Sequence, residues 1–476
     1  MVKFDRLMFM SMKKIVFVFC AILFASVSFS QSVSQNLQKA WQQFESDSQL
    51  KHAISSLYVI DAKTGQVVFD KNSQIGLAPA STQKIITAAT AFELLGKEFR
   101  YKTELGYDGK IINDTLKGNI FVLGTMDPTL GSWRWKNTSD SNILGIWMNE
   151  IKKLKISEIE GDLLTNTAGF TYQSVPDGWI WQDIGNYYGA GCYSLNWKEN
   201  QFELNLTSEN KIGGTVDVNK NGWISGIYIN ELKAASKSSG DNAYVYYDNL
   251  ISGTIPLGER NFKISAASQD PISDLLNDFG ILLERNSIGN SRLTDPSSGR
   301  MRFNNDSADL KKINKFYTHY SPSLDSISYW FLKKSINLYG EALLKTFAYE
   351  KNGFGSTDDG VKIVTDFWKQ KGIDEDELNI SDGSGLSPQN RTTTHAQVEI
   401  LKYAKGKDWY PYYLNGFPDY NGMKMKSGTI RDVKGFAGYH KAKDGKEYIF
   451  SFLVNNYNGR TSSVVSKMYK VLDELK

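Results

Sequence analysis

Apolar residues recur at helical spacing over Ile85, Ile86, Ala89, Phe92 and Leu95, between Pro79 and Gly96. Pro79 disfavours a helical start further upstream and Gly96 offers a left-handed stop, so the pattern predicts a buried helix beginning at Ser81. Before it, Ile54, Leu57, Tyr58, Val59 and Ile60 read as a strand, Lys63-Thr64-Gly65 as a turn, and Gln66 to Asp70 as the hairpin partner. A polar-faced helix from Gln35 to Glu45 is expected upstream. From Thr103 to about Asn305 the texture changes to short strand candidates between Gly, Asn and Asp turns, broken by helices near Ser139 to Leu154 and Pro271 to Arg285. Helical periodicity returns at Ser323 to Lys334, Leu338 to Tyr349 and Gly360 to Gly372, followed by a turn-rich loop from Ser381 to Pro388. Met423 to Ile430, Gly435 to His440 and Tyr448 to Asn455 read as antiparallel strands, and about Ser462 to Leu475 as a last helix.

The C-terminal strands and the N-terminal hairpin belong in one sheet, which puts both chain ends in a single α/β domain. The expected division is residues 31–102 with 306–476, interrupted by a β-rich insertion over 103–305 that forms two subdomains.

The chain has 476 residues, 41% of them hydrophobic, enough for a sizeable core and more than one domain. Its formal charge of +3 equals the sum over residues 1–30, where Lys3, Arg6, Lys13 and Lys14 face Asp5. The remainder is neutral, so a basic stripe for nucleic acid is not indicated. Lys13-Lys14 precede the apolar run Ile15 to Phe29 and a Ser28-Phe29-Ser30 cleavage pattern, which reads as a secretory signal peptide cut near Ser30 and implies export to the periplasm. Past that cut only Cys192 remains, so no internal disulfide is available and a structural role for this thiol is expected. The four histidines are scattered without metal-ligand spacing, and no metal or cofactor is expected.

On the predicted helix Ser81 and Lys84 share a face, three residues apart. A serine hydroxyl needs a proton acceptor, and a lysine serves if burial or a second cation lowers its pKa. Ser-x-x-Lys also occurs at Ser11, Ser48 and Ser208, so the pair alone proves little. Lys426-Ser427-Gly428-Thr429 on a predicted strand adds the second cation, hydroxyls for a substrate carboxylate, and a glycine that lets backbone approach a ligand. Ser335 and Asn337 fall at a helix–helix turn, where the hydroxyl could pass a proton to a leaving amine and the amide could hold a carbonyl.

Ser-x-x-Lys, Ser-x-Asn and Lys-Ser-Gly in that order resemble the penicillin-binding proteins and serine β-lactamases. Ser335 lies 254 positions beyond Ser81, and an insertion of that size resembles the D-alanyl-D-alanine carboxypeptidase/endopeptidase family, the class C low-molecular-mass penicillin-binding proteins. Ile60 to Gly65, Gly124 to Leu130, Gly178-Trp179-Ile180-Trp181-Gln182-Asp183, Asp382-Gly383-Ser384-Gly385-Leu386-Ser387 and Phe436 to Tyr439 look like that family too.

The resemblance implies a transpeptidase-type α/β fold, an antiparallel sheet with helices, and acyl transfer on peptidoglycan stem peptides. Ser81 would be the nucleophile and Lys84 the base. Ser335 with Lys426 would form the proton relay, and the backbone N–H groups of Ser81 and Thr429 the oxyanion hole. β-Lactams would acylate Ser81. Asp183 and Tyr188 resemble family positions that reach over the cleft, and a structural role in the insertion is an equal alternative. Pro388 follows the Asp-Gly-Ser-Gly-Leu-Ser stretch where relatives can carry a carboxylate-reading arginine, for which Arg431 is a candidate substitute. The alternatives are a β-lactamase or related esterase, and a non-enzymatic wall-binding protein that keeps the fold. Peripheral association with wall or membrane is compatible with the sequence, and the oligomeric state is left open.

Overall fold

The computed structural model describes residues 33–220, 229–289, 303–304 and 310–476; the expected leader lies outside these described residues. Helix α1 (residues 33–45) leads into strand β1 (Ile54–Asp61) and its hairpin partner β2 (Val67–Lys71). A short 3-10 turn, Ala80–Gln83, passes into helix α2 (Lys84–Leu94). After the insertion come α3 (Leu324–Lys333), α4 (Asn337–Asn352), α5 (Thr357–Gln370) and α6 (Thr394–Lys405). Strands β3 (Met423–Ile430), β4 (Val433–Lys441) and β5 (Glu447–Asn455) follow, then α7 (Thr461–Leu472).

The sheet runs Asp419–Tyr420, β3, β4, β5, β1, β2, antiparallel throughout. Both of its faces are covered, which is why β1 is buried over nearly its whole length. Leu57 and Val59 join Leu37, Trp41 and Phe44 of α1 and Val464 and Met468 of α7 on one side. Tyr58 and Ile60 join α2, α3, α4 and α6 on the other. Helix α2 is apolar around most of its circumference and is buried from Lys84 to Phe92, as expected for a helix running through a core.

Among the described residues the insertion has two larger cores. A five-stranded sheet packs with the helices Asp140–Lys153 and Pro271–Arg285 through Trp147 and Phe279. Two three-stranded sheets enclose Leu204, Leu232 and Ile251. Strand Asn314–Tyr320 pairs along Lys102–Tyr107, so the chain leaves and re-enters the insertion through neighbouring strands. That return strand lies beyond the expected break at 305/306, because its short Phe-Tyr-Thr-His-Tyr pattern carries no signal of which sheet it joins.

Trp41 is 1% exposed and packs against Phe44, Phe69 and Phe452. Trp41→Ala is expected to cost roughly 3–5 kcal/mol of stability, read as a lower denaturant midpoint; an unchanged midpoint would show that α1 adds nothing to the cooperative core.

Candidate active site

Ser81 occupies the 3-10 turn that starts α2, immediately after Ala80, which is held at a φ of +46°. Such a φ on a residue with a Cβ stores about 1–3 kcal/mol, and the surroundings enforce it. Glycines make that crowding possible. A Cβ on Gly428 would sit 2.5 Å from the Pro79 carbonyl oxygen and 2.9 Å from the Ser81 nitrogen. The close approach expected of Gly428 is therefore made by the Ser81 turn itself and not by a ligand. It brings the backbone at Ser81 alongside the strand that carries Thr429. Beyond Lys424, the outer edge of β3 has no strand partner among the described residues.

Lys84 is fully buried, and its Nζ lies 3.0 Å from Ser81 Oγ, 2.6 Å from Asn337 Oδ1 and 2.7 Å from the Ser384 carbonyl. Burial pushes its pKa down to about 7, against the pull of Asp382 and Glu341 in the other direction. The geometry then defines what the neutral amine does. Asn337 Oδ1 and Ser384 O can only accept, so the two N–H groups go to them and the lone pair is left facing the Ser81 hydroxyl. That is a base aimed at a nucleophile.

The second cation acts differently from the expectation. Lys426 donates to Ser335 Oγ at 2.9 Å and to the Ser427 carbonyl at 2.7 Å. Its own pKa falls well below the usual value, through burial first and then repulsion from Lys84 and Lys434. For Lys84 the cause is burial. Burial thus acts on both lysines in the same direction, away from the charged form.

Ser335 has a φ of +59°, which turns the chain sharply between α3 and α4. Asn337 Nδ2 donates one N–H to the Tyr188 carbonyl at 2.6 Å, fixing the amide so that its oxygen meets Lys84 and its second N–H is left over. Ser81, Ser335, Asn337 and Thr429 all line one cavity of about 830 Å³. Asp183, Tyr188 and Arg431 line it too, and the Tyr188 hydroxyl donates to Asp183 Oδ1 at 3.3 Å. Burial raises the pKa of both groups. Arg431 is highly exposed, 4.0 Å from Asp432. Ser427 is half-buried on β3.

Several residues here carried no assigned role in the sequence. Asp382 is buried and accepts from Gly385 N, Ser387 N, Asn390 Nδ2 and Trp179 Nε1. It thereby joins two of the quoted motifs and shapes the loop whose Ser384 carbonyl holds Lys84. Gln83 adds a bond from its side chain to the Asp382 carbonyl. Glu341, four residues after Asn337 on the apolar face of α4, is buried, and burial with Asp382 nearby pushes it up to about 8. A glutamate inside an apolar helical stripe was the available signal. Arg134 pairs with buried Glu199 at 2.6 Å and 2.9 Å in the lining of the same cavity, joining elements too distant in sequence to be paired by pattern. Cys192 is buried, its thiol raised to about 11 by burial, consistent with a structural place.

Residues 34–419 match the model of the D-Ala-D-Ala carboxypeptidase 3 (S13) family. The chain belongs to this family. It is 23% identical to a D-alanyl-D-alanine carboxypeptidase of an Actinomadura species over 446 residues, 87% of this chain and 80% of that one. With the D-alanyl-D-alanine carboxypeptidase DacB of Haemophilus influenzae it shares 24% identity over 83% of each chain. The crystal structure of penicillin binding protein 4 (dacB) from Haemophilus influenzae superposes with a TM-score of 0.77 at 22% identity, over 89% of this chain and 96% of that one. The fold expected from the motifs is thus the one found. As a member of the S13 family the chain is a serine peptidase of the D-Ala-D-Ala carboxypeptidase class.

Since Lys84 must be neutral to take the Ser81 proton and its pKa lies at about 7, the rate of acylation by penicillin is expected to rise about tenfold between pH 6 and pH 8. Stopped-flow or mass-resolved acylation across that range checks it, and a flat profile would contradict Lys84 as the base.

Proposed function

We propose that this S13 peptidase cleaves the bond between the last two D-alanines of peptidoglycan stem peptides, and D-alanyl cross-links by the same chemistry. Ser81 Oγ attacks the carbonyl carbon as Lys84 Nζ takes its proton. The negative oxygen is held by the backbone N–H groups of Ser81 and Thr429. Asn337, with one amide N–H to spare, holds the substrate's carbonyl. The C–N bond then breaks, and Ser335, coupled to Lys426, hands a proton to the departing amine. The proton that Lys84 took makes good the one Ser335 gave up; water then hydrolyses the ester, its hydroxyl going to the acyl carbon and its proton to Ser81 Oγ, which restores the starting state. No metal or other cofactor enters any of these steps.

The observation that carries this reading is the three-way hydrogen bonding of Lys84, which leaves a neutral amine no partner for its lone pair except Ser81. Asp183, Tyr188 and Arg431 in the cavity lining contact the bound peptide, while Ser427, Gly428 and Thr429 shape the edge along which it lies. The solved Haemophilus protein has been crystallised with a β-lactam, which supports β-lactams as acylating inhibitors here. The protein works in the periplasm after removal of residues 1–30; among the described residues no helix is long and apolar enough to cross a membrane. Residues 31–102 and 306–476 form the catalytic part and 103–305 the insertion, whose sheet closes on Asn314–Tyr320.

Brief incubation with penicillin is expected to give one stoichiometric adduct by intact mass, mapped to Ser81 and absent in Ser81→Ala. The same variant should lose D-Ala release from a stem pentapeptide by at least about a thousandfold. Peptide cleavage that survives the substitution would overturn the mechanism. Rapid turnover of the penicillin adduct would favour a β-lactamase, and wall binding without cleavage by wild type a scaffold.

A further inference from the structure

Lys434 stands on β4 directly across from Thr429 of β3, and its ammonium donates to the Thr429 hydroxyl at 2.8 Å. It is only 7% exposed and lies over the Phe436 ring, 4.7 Å from the centroid. Burial pushes its pKa down to about 8, and no carboxylate pulls it back up. Among the described residues Lys426 feels its charge as a repulsion, as it does that of Lys84. A buried ammonium without a counter-ion is costly to keep. A methionine would fill the same space beside Phe436 without that cost, so packing does not explain the charge.

The hydrogen bond has a direction. An ammonium has no lone pair, so it can only donate, and the hydrogen of the Thr429 hydroxyl is therefore turned away from Lys434. Thr429 is exposed on the open edge of β3 and lines the cavity that holds Ser81 and Ser335. The outcome is a polarised O–H directed out from the edge, backed by a positive charge with no anion beside it. The leaving residue brings an anion to that region, because the carboxylate α to the scissile nitrogen is two bonds from the atom that Ser335 protonates.

We infer that Lys434 is a positioning residue for the α-carboxylate of the leaving amino acid, acting through Thr429 to make that carboxylate the counter-ion of the strand edge. This rests on the peptidase reading above. It makes the site selective for leaving groups with a free carboxylate next to the scissile nitrogen, whether a terminal D-amino acid or the end of a cross-linking residue.

The test uses a D-alanyl-D-alanine peptide and the same peptide as its C-terminal carboxamide, with wild type, Lys434→Met and Lys434→Arg. Wild type should favour the carboxylate. Lys434→Met should lose about 10- to 100-fold in kcat/KM on the carboxylate peptide, the range of a hydrogen bond to a charged group, and change little on the carboxamide. Lys434→Arg should recover most of the loss, and the melting temperature of Lys434→Met should not fall. Equal losses on both peptides, or no loss on either, would overturn the inference. If wild type cleaves neither peptide, the peptidase reading fails by itself. The ratio of acylation rates with benzylpenicillin and its methyl ester then serves as the readout: a ratio reduced in Lys434→Met supports carboxylate recognition, and an unchanged ratio sinks it.

Discussion

Everything at this site depends on keeping a lysine amine in the protein interior without a carboxylate in contact with it. Lys84 touches a hydroxyl, an amide oxygen and a backbone carbonyl, all neutral, and is fully buried. Carboxylates do stand nearby. Asp382 is saturated by donors from its own loop and from Trp179, and Glu341 is pushed toward its protonated form. Their pull on the Lys84 proton is therefore muted, and desolvation outweighs it. A direct ion pair at this position would hold the amine charged and remove the base.

Placing such an amine beside a serine demands a rigid frame, and the frame is supplied by close backbone contacts. Gly428 lets β3 press on the Ser81 turn, and Gly385 lets the Asp382 loop press on the Ala80 carbonyl. These contacts force Ala80 into the left-handed region, and the core beneath, from Ile85 to Phe92, holds the strain. Two lysines of the neighbouring strands complete the field. Lys426 couples to Ser335, and Lys434 stands behind Thr429, so positive charge is distributed along the edge where a substrate carboxylate would lie.

Much of this was legible beforehand because the signals are local. Helix α2 follows from a 3.6-residue apolar period with a proline and a glycine at its ends, and the three C-terminal strands follow from alternation. Ser81 with Lys84, and Lys426 to Thr429, are contiguous motifs whose spacing carries their geometry. Other partners were not legible, since nothing in the pattern says that Trp179 meets Asp382 or that Glu199 meets Arg134. The pairing of Asn314–Tyr320 with Lys102–Tyr107 was likewise not legible, because it is decided by sheet register and not by composition.

By itself the sequence determined which residues are nucleophile and base candidates, the order of the elements, and the kinship with serine D-Ala-D-Ala carboxypeptidases, because these rest on short-range chemistry and periodicity. Only the tertiary structure decided that burial sets the charge of Lys84, that Gly428 admits the nucleophile turn, and that Lys434 reaches Thr429 from the neighbouring strand. Each of these depends on what lies within a few ångströms across residues far apart in the chain, and desolvation and close contact exist only once the chain has folded.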